Sequence, residues 1–192
     1  MRNSKNQEKT IVVRKAGGTD EYSLIEINNG DVHEFEEKGI GDVRDGTMVL
    51  RPIELVYLSI IGYRVMIDGN EVGVNELIRE VKNPHALTVY LDMRKRGGYF
   101  IKPVVNGPVD FLVWDKGKSP VNSSPRYMIK IVTEGGLGIQ VMELLNVLKY
   151  SESMGAQLVL ALVSSEGGLS LIIRHSHLSL LRVVDSWSRL RT

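Results

Sequence analysis

The chain has 192 residues, 43% hydrophobic but only 6% aromatic, and its 24 basic side chains stand against 23 acidic ones. A net charge of +1 excludes a bulk electrostatic attraction to nucleic acid, so any RNA contact has to come from a local patch. The absence of cysteine excludes disulfides, thiolate zinc sites and a cysteine nucleophile, and suits a reducing cytoplasm or a hot habitat.

Residues 1–9, MRNSKNQEK, read as a flexible polar leader without the apolar core of a signal peptide. No run approaches the ~20 apolar residues of a membrane span, so the expectation is a cytoplasmic protein with no membrane contact. Residues 10–14 (TIVVR) predict a strand. Residues 24–27 and 32–35 predict two more, joined as a hairpin through Asn28, Asn29, Gly30 and Asp31. Residues 39–46 read as loop and 47–50 as a further strand. Pro52 opens a helix at a position where its missing N–H costs nothing; Ile53, Val56, Tyr57, Ile60 and Ile61 give it one apolar face. A strand at 65–67 follows, then a short helix capped by Asn75, carrying Leu77, Ile78 and Val81. Asn83-Pro84 stops it, because a residue before proline is pushed out of the α region. A domain boundary belongs there, giving a small α/β domain over 10–84 and a second domain over 85–192.

The second domain begins with a helix at 87–96 ending in Arg94, Lys95 and Arg96, and turns through Gly97-Gly98. Two extended runs, 99–102 and 109–114, form a hairpin. After a polar loop at 116–125 come a strand at 127–132, a loop at 135–138 and a helix at 139–154. That helix shows Val141, Leu144, Leu145 and Leu148 on one face. Residues 158–163 (LVLALV) are an unbroken apolar run, expected to be a strand covered on both faces. A strand at 169–174 follows, and the tail, 178–190, has apolar residues at helical spacing. The order β, β, β, α, β, β predicts a mixed sheet with one long covering helix, so the fold class is α/β (α+β).

Several clusters carry possible chemistry. Asp110 at the head of a strand, with Lys130 on the next, imitates half of a metal-dependent nuclease site. The second acid would fall at Met128, which leaves one carboxylate where a divalent ion needs a pair, and no metal is expected. Asp110 reads better as a buried acid bonding backbone N–H groups. His175 and His177 alternate on a strand end with no third ligand at metal spacing. Gly135 to Gly138 precede a helix as a phosphate loop would, but no Lys-Ser/Thr follows. Arg94, Lys95 and Arg96 suit either phosphate contact or a solvated helix end complementing the macrodipole. The apolar run at 158–163 and the tail with Trp187 suit either core or a subunit interface.

The segments YLDMRKRGGYFIK, GPVDFLVW, SPRYMIKIV and LLNVLKYSESMGAQLVLALV, in this order and spacing, resemble the C-terminal domain of the archaeal tRNA-splicing (tRNA-intron) endonucleases. The stretch LRPIELVYLSIIGYRVMIDGNEV resembles that family's N-terminal domain, so the likeness spans roughly residues 49–173. It implies a restriction-endonuclease-like C-terminal domain and metal-free RNA cleavage leaving a 2′,3′-cyclic phosphate, with no cofactor. In such a reaction a tyrosine serves as base, a histidine as acid and a lysine as the stabilising cation. By the resemblance, those places fall here at Gly107, Ser124 and Gly155, none of which can do the work. The chain therefore resembles the non-catalytic subunit of a heterotetramer, two catalytic and two structural chains acting on precursor tRNA at bulge–helix–bulge sites. The resemblance further implies pairing through the strand Leu169–Arg174, with Leu169, Leu171 and Ile173 to one side, and a linking acidic loop in which only Glu166 is acidic. Lys149 and Arg174 stand near the places of the RNA-binding arginines, beside Arg94 and Arg96 from the basic cluster. Two other readings remain open: a free-standing RNA-binding module of related fold, and an enzyme of another class using Asp110, Lys102 or Tyr99.

Overall fold

A computed structural model describes residues 9–28, 32–97, 99–134, 139–164, 168–174 and 181–184, with backbone alone for 170–174 and 181–184. The leader 1–8, the loop 135–138, Glu166, His175 and His177 lie outside the described residues. The chain divides between Lys82 and Asn83 into two compact units.

The first unit is a six-stranded mixed sheet. β1 (Thr10–Lys15) pairs antiparallel with β2 (Tyr22–Asn28) and parallel with β5 (Arg64–Ile67). β3 (Asp42–Arg44), β4 (Thr47–Leu50) and β6 (Asn70–Glu71) complete the order β3-β4-β2-β1-β5-β6. The core gathers Ile11, Val13, Tyr22, Leu50, Leu55, Leu58, Val65 and Leu77. Two expectations are corrected here. The second arm of the hairpin expected at 32–35 is instead helix α1, Val32–Glu37, whose one buried residue is Phe35; its ring meets Tyr63 edge-on at 5.5 Å. The segment read as loop instead contains β3, turned into β4 by Asp45 and Gly46, both at positive φ as the tightest hairpin turn requires.

Helix α2 (Pro52–Ile60) starts at its proline, but its buried set is not the one expected. Ile53, Glu54, Leu55, Val56 and Leu58 are buried, while Ile60 and Ile61 are exposed. The first two turns are enclosed all round, so a single-stripe reading of the helix fails. Helix α3 (Val74–Arg79) begins two residues before the expected cap, at Gly73, whose N–H donates to the Glu76 carboxylate at 3.3 Å.

The second unit opens with α4, Pro84–Lys95, capped by the Asn83 side chain accepting from Ala86 N at 3.1 Å. Its sheet has the order β12-β11-β10-β9-β8-β7. The hairpin β7 (Tyr99–Pro103) and β8 (Phe111–Asp115) joins β9 (Tyr127–Thr133), antiparallel throughout. Among the described residues of this unit, β9 and β10 (Gln157–Val163) are the one parallel pair, connected through α5, Val141–Ser153. On one face of β10, Val159, Ala161 and Val163 are wholly buried; on the other, Leu158 is buried but Leu160 and Leu162 are only half covered, which corrects the expectation of full cover. The stripe of α5 is also rotated from the expected one. Val147 and Ser151 are buried and Leu144 and Leu148 pack beside them, against Val109, Met128 and Leu158. Val141 is 73% and Leu145 43% exposed.

The tail brings the largest change. β11 (Leu169–Arg174) is not the end of the sheet, because β12 (Leu181–Val184) pairs with it antiparallel. A segment read as helical from its spacing is thus a strand over those four residues. No helix among the described residues is long and apolar enough to cross a membrane.

Candidate functional site

The parallel pair β9 and β10 gives the second unit two distinct ends, and the three positions Gly107, Ser124 and Gly155 do not share one. Phe111 lies opposite Ile129 and Val113 opposite Tyr127. The hairpin tip lies toward the finishing end of β9 and is anchored near its middle, where Asp110 N donates to Ile129 O at 2.8 Å and Val104 N to Asp110 O at 2.9 Å. Ser124 precedes the starting end of β9, and Gly155 the starting end of β10, where Gln157 stands level with Tyr127. Between the levels of positions 124 and 130 an extended chain climbs roughly 20 Å. The placement of a base at Gly107 is therefore corrected. A Cβ there would also lie 2.5 Å from Val104 Cγ1, so a side chain at 107 requires Val104 to move.

The residue that the fold brings beside Ser124 is Trp114. Its Nε1 donates to the Ser123 carbonyl at 2.9 Å, and Ser123 Oγ donates to Ser119 O at 2.7 Å, so the indole pins the 119–124 turn to the end of β8. The missed signal is a matter of counting: four residues of strand rise from Asp110 carry the chain across the sheet to Trp114, level with the loop before β9. Around it, Arg126 N donates to Val113 O at 2.8 Å and Gln157 N to Arg126 O at 2.9 Å. The exposed Arg126 Nη1 reaches both Asp115 oxygens, at 3.0 and 3.1 Å, and the guanidinium stands 5.1 Å from the centre of the Tyr127 ring. Burial pushes the Tyr127 hydroxyl above its ordinary value.

Gly155 terminates α5. It sits at φ +65 with Ala156 N donating back to Ser151 O at 2.9 Å, the arrangement in which a glycine caps a helix. This end of the sheet thus holds a pinned indole, an exposed serine, a capping glycine and a guanidinium engaged with a carboxylate. It can hold or orient a ligand; of the described residues here, the serine, the indole and the glycine exchange no proton near neutral pH, and the Tyr127 hydroxyl is raised by burial.

At the opposite end, Asp110 Oδ2 accepts from Ile131 N at 2.7 Å, and Lys130 Nζ lies 3.0 Å from Glu143. Burial raises the Asp110 carboxyl above its ordinary value, against the lowering pull of Ile131 N–H and Lys130. The N–H it satisfies belongs to β9, not to its own hairpin. Lys130 ties β9 to α5.

The basic cluster separates into three different residues. Arg94 is 9% exposed, and its Nη2 donates to Tyr90 Oη at 3.0 Å and to Ile101 O at 2.7 Å. It braces α4 against β7, which corrects its expected place on an RNA surface. Arg96 donates to both Asp92 oxygens, Nε at 2.7 Å and Nη2 at 2.9 Å. Lys95 is exposed, as is Lys149 on α5. Arg174, Leu171 and Ile173 are placed by backbone only, at β11 positions opposite Leu181, Val184 and Arg182 of β12. The strand edge expected to meet a partner is therefore filled by this chain's own backbone.

Residues 84–171 match the family model described as tRNA intron endonuclease, catalytic C-terminal domain. A tRNA-splicing endonuclease of Haloarcula marismortui is 31% identical over 110 residues, which is 52% of this chain and 31% of that protein. A tRNA-splicing endonuclease of Natronomonas pharaonis is 26% identical over 121 residues, 59% of this chain and 35% of that protein. The chain spans about a third of the length of these curated relatives.

Proposed function

Through its C-terminal unit this chain belongs to the tRNA-splicing endonuclease family, and from that premise we propose that it serves as a structural, non-catalytic subunit of a tRNA-intron endonuclease. Its partner is a chain that carries the base, acid and cation, and the substrate of the assembly is precursor tRNA at a bulge–helix–bulge. One observation carries the reading. Where β9 and β10 begin, Ser124, Gly155 and the Trp114 indole stand together, and Trp114 Nε1 is already committed to Ser123 O.

Metal-free cleavage to a 2′,3′-cyclic phosphate needs a group to take the 2′-OH proton, a group to protonate the leaving oxygen, and a cation at the phosphate. Serine and indole neither take nor give a proton near neutral pH, and a glycine supplies nothing. Arg126 adds charge at this end but spends it on Asp115. For direct RNA contact the exposed Lys149 and the half-exposed Arg96 remain as candidates, the latter already sharing its charge with Asp92.

The test is reconstitution. A family member retaining tyrosine, histidine and lysine is mixed with this chain, and cleavage of precursor tRNA is followed against the ratio of the two. The expected result is a complex whose activity saturates at a fixed stoichiometry. Equal cleavage by the catalytic member with and without this chain, and no co-elution, would overturn the assignment.

A further inference from the structure

Asn106 and Gly107 stand at the tip of the hairpin, between the end of β7 at Pro103 and the start of β8 at Phe111, and both are exposed. The turn selects this dipeptide on steric grounds. Asn106 has φ +56, a left-handed conformation that asparagine tolerates better than most residues. A Cβ at 107 would lie 2.5 Å from Val104 Cγ1, so glycine fits there without displacing Val104. The flanks of the tip are anchored, Val104 N donating to Asp110 O and Asp110 N to Ile129 O. Between those anchors, Gly107 N donates to no partner among the described residues.

An asparagine side chain is attacked by the main-chain nitrogen that follows it when that nitrogen can turn toward it and nothing crowds the approach. Gly107 meets both conditions, having no Cβ and no hydrogen bond that holds its peptide in place. Other asparagines do not. Asn83 precedes Pro84, which has no N–H to lose. Asn75 precedes Glu76, whose N donates to Gly73 O at 3.0 Å, and Asn146 precedes Val147 within α5. Asn70 precedes Glu71, which is paired with Met66. Asn122 precedes Ser123, whose hydroxyl is tied to Ser119 O and whose carbonyl holds Trp114.

We propose that Asn106 is a site of spontaneous deamidation, at which the hairpin tip converts to a mixture of aspartate and isoaspartate through a cyclic imide. Hydroxide takes the Gly107 N–H proton, the nitrogen bonds to Asn106 Cγ, and the side-chain amide nitrogen leaves as ammonia with a proton from water. Water then opens the imide. Opening at Cγ leaves aspartate; opening at the main-chain carbonyl leaves isoaspartate, which puts an extra methylene into the backbone between the two anchors. Either product adds a negative charge to a tip that carries none between Val104 and Val109. Water and hydroxide are the only co-reactants, and the inference does not rest on the role of the subunit.

The experiment ages the purified full chain at mildly alkaline pH, folded and, in parallel, in concentrated urea. Mass-spectrometric peptide mapping follows the amide-to-acid mass gain at each asparagine, and a protein isoaspartate methyltransferase with a labelled methyl donor reports the isoaspartate. In the folded chain Asn106 should convert at least ~10-fold faster than Asn70, Asn75, Asn122 and Asn146, whose following peptides must first open locally. It should also keep within about 3-fold of its own rate in urea, since the tip has no such opening to wait for. Asn106→Gly preserves the left-handed turn and should remove the methyl label from the tip peptide. Asn29-Gly30, a second pair of this kind, lies outside the described residues and is resolved as a separate peptide. An Asn106 that stays an amide in the folded chain while urea converts it would show that the fold protects the tip, and would overturn the proposal. Equal conversion at Asn106 and Asn146 in the folded chain would do the same.

Discussion

Arg94 Nη2 donates to the main-chain carbonyl of Ile101 at 2.7 Å, so the last turn of α4 is locked to the first strand of the hairpin by a buried guanidinium. Its neighbour in sequence, Lys95, faces solvent. The two should respond oppositely to removal. Arg94→Ala is expected to cost about 2–3 kcal/mol, since it strips a charged donor from Tyr90 Oη and Ile101 O. Lys95→Ala should stay within about 0.5 kcal/mol. Urea unfolding followed by Trp114 fluorescence separates them; equal and small effects would show that Arg94 is not a brace.

Glu54 is fully buried and accepts from Gly41 N at 2.7 Å and from Arg51 N at 2.8 Å, fastening the turn before β3 to the start of α2. Glu54→Gln keeps the shape but turns an amide donor toward an N–H that needs an acceptor. It should cost about 1–3 kcal/mol, the price of a buried polar group left unsatisfied. Glu54→Ala also leaves Arg51 buried beside Asp42 without its second carboxylate, and should cost about 3–5 kcal/mol. Calorimetric unfolding measures both, and the order of the two losses is the point at issue.

Asp110 gives a pH signature. Burial raises its folded-state value above that of the unfolded chain, so the folded form holds the proton more tightly. The stability that this proton confers is present below the ordinary aspartate value and is lost as pH rises through the raised one. Asp110→Asn removes the titration. The stability of the unaltered chain relative to Asp110→Asn should therefore fall as pH climbs from about 4 upward and level off above the raised value. A difference that rises with pH over that window would mean that the Ile131 N–H and Lys130 outweigh burial.

Gly107 and Gly155 resist substitution for unlike reasons. A side chain at 107 meets Val104 Cγ1, and overpacking of that kind costs about 1–3 kcal/mol. A side chain at 155 meets nothing within 4 Å but must adopt φ +65, costing about 1–2 kcal/mol. Gly107→Tyr should thus lower the melting temperature and still produce no cleavage, because the new hydroxyl would stand at the far end of the sheet from Ser124. Pairing it with Ser124→His provides the check: cleavage by that double variant would mean that the two positions do meet.

The C-terminal unit was legible where local pattern and burial agree. The hairpin, the strand at β9, the apolar β10 and the helix between them follow from β-branched runs, a glycine turn and a glycine cap. Where two apolar stripes compete on one helix, as Val141 and Leu145 do with Leu144 and Val147 on α5, periodicity cannot say which one the sheet covers. Phe35 shows the same limit: a single aromatic among charged residues fits a strand or a short helix equally, and packing against Tyr63 decides. The tail misled for the reverse reason, since Leu180, Val183 and Val184 satisfy helical spacing but Val183 and Val184 are paired with β11. For the site, family order alone put three positions together; strand register separates Gly107 from the other two and brings up Trp114.

The account turns on Ser124, Gly155 and Trp114 standing where β9 and β10 begin, none of them a proton-transferring group. The most direct measurement incubates the purified chain alone, in excess over end-labelled precursor tRNA, with a chelator present to suppress metal-dependent hydrolysis, and resolves the products and their termini. The account predicts intact precursor at every pH from about 5 to 9, the window in which a histidine or a perturbed tyrosine would titrate. Excision of the intron by this chain alone, leaving 2′,3′-cyclic phosphate ends, would contradict it.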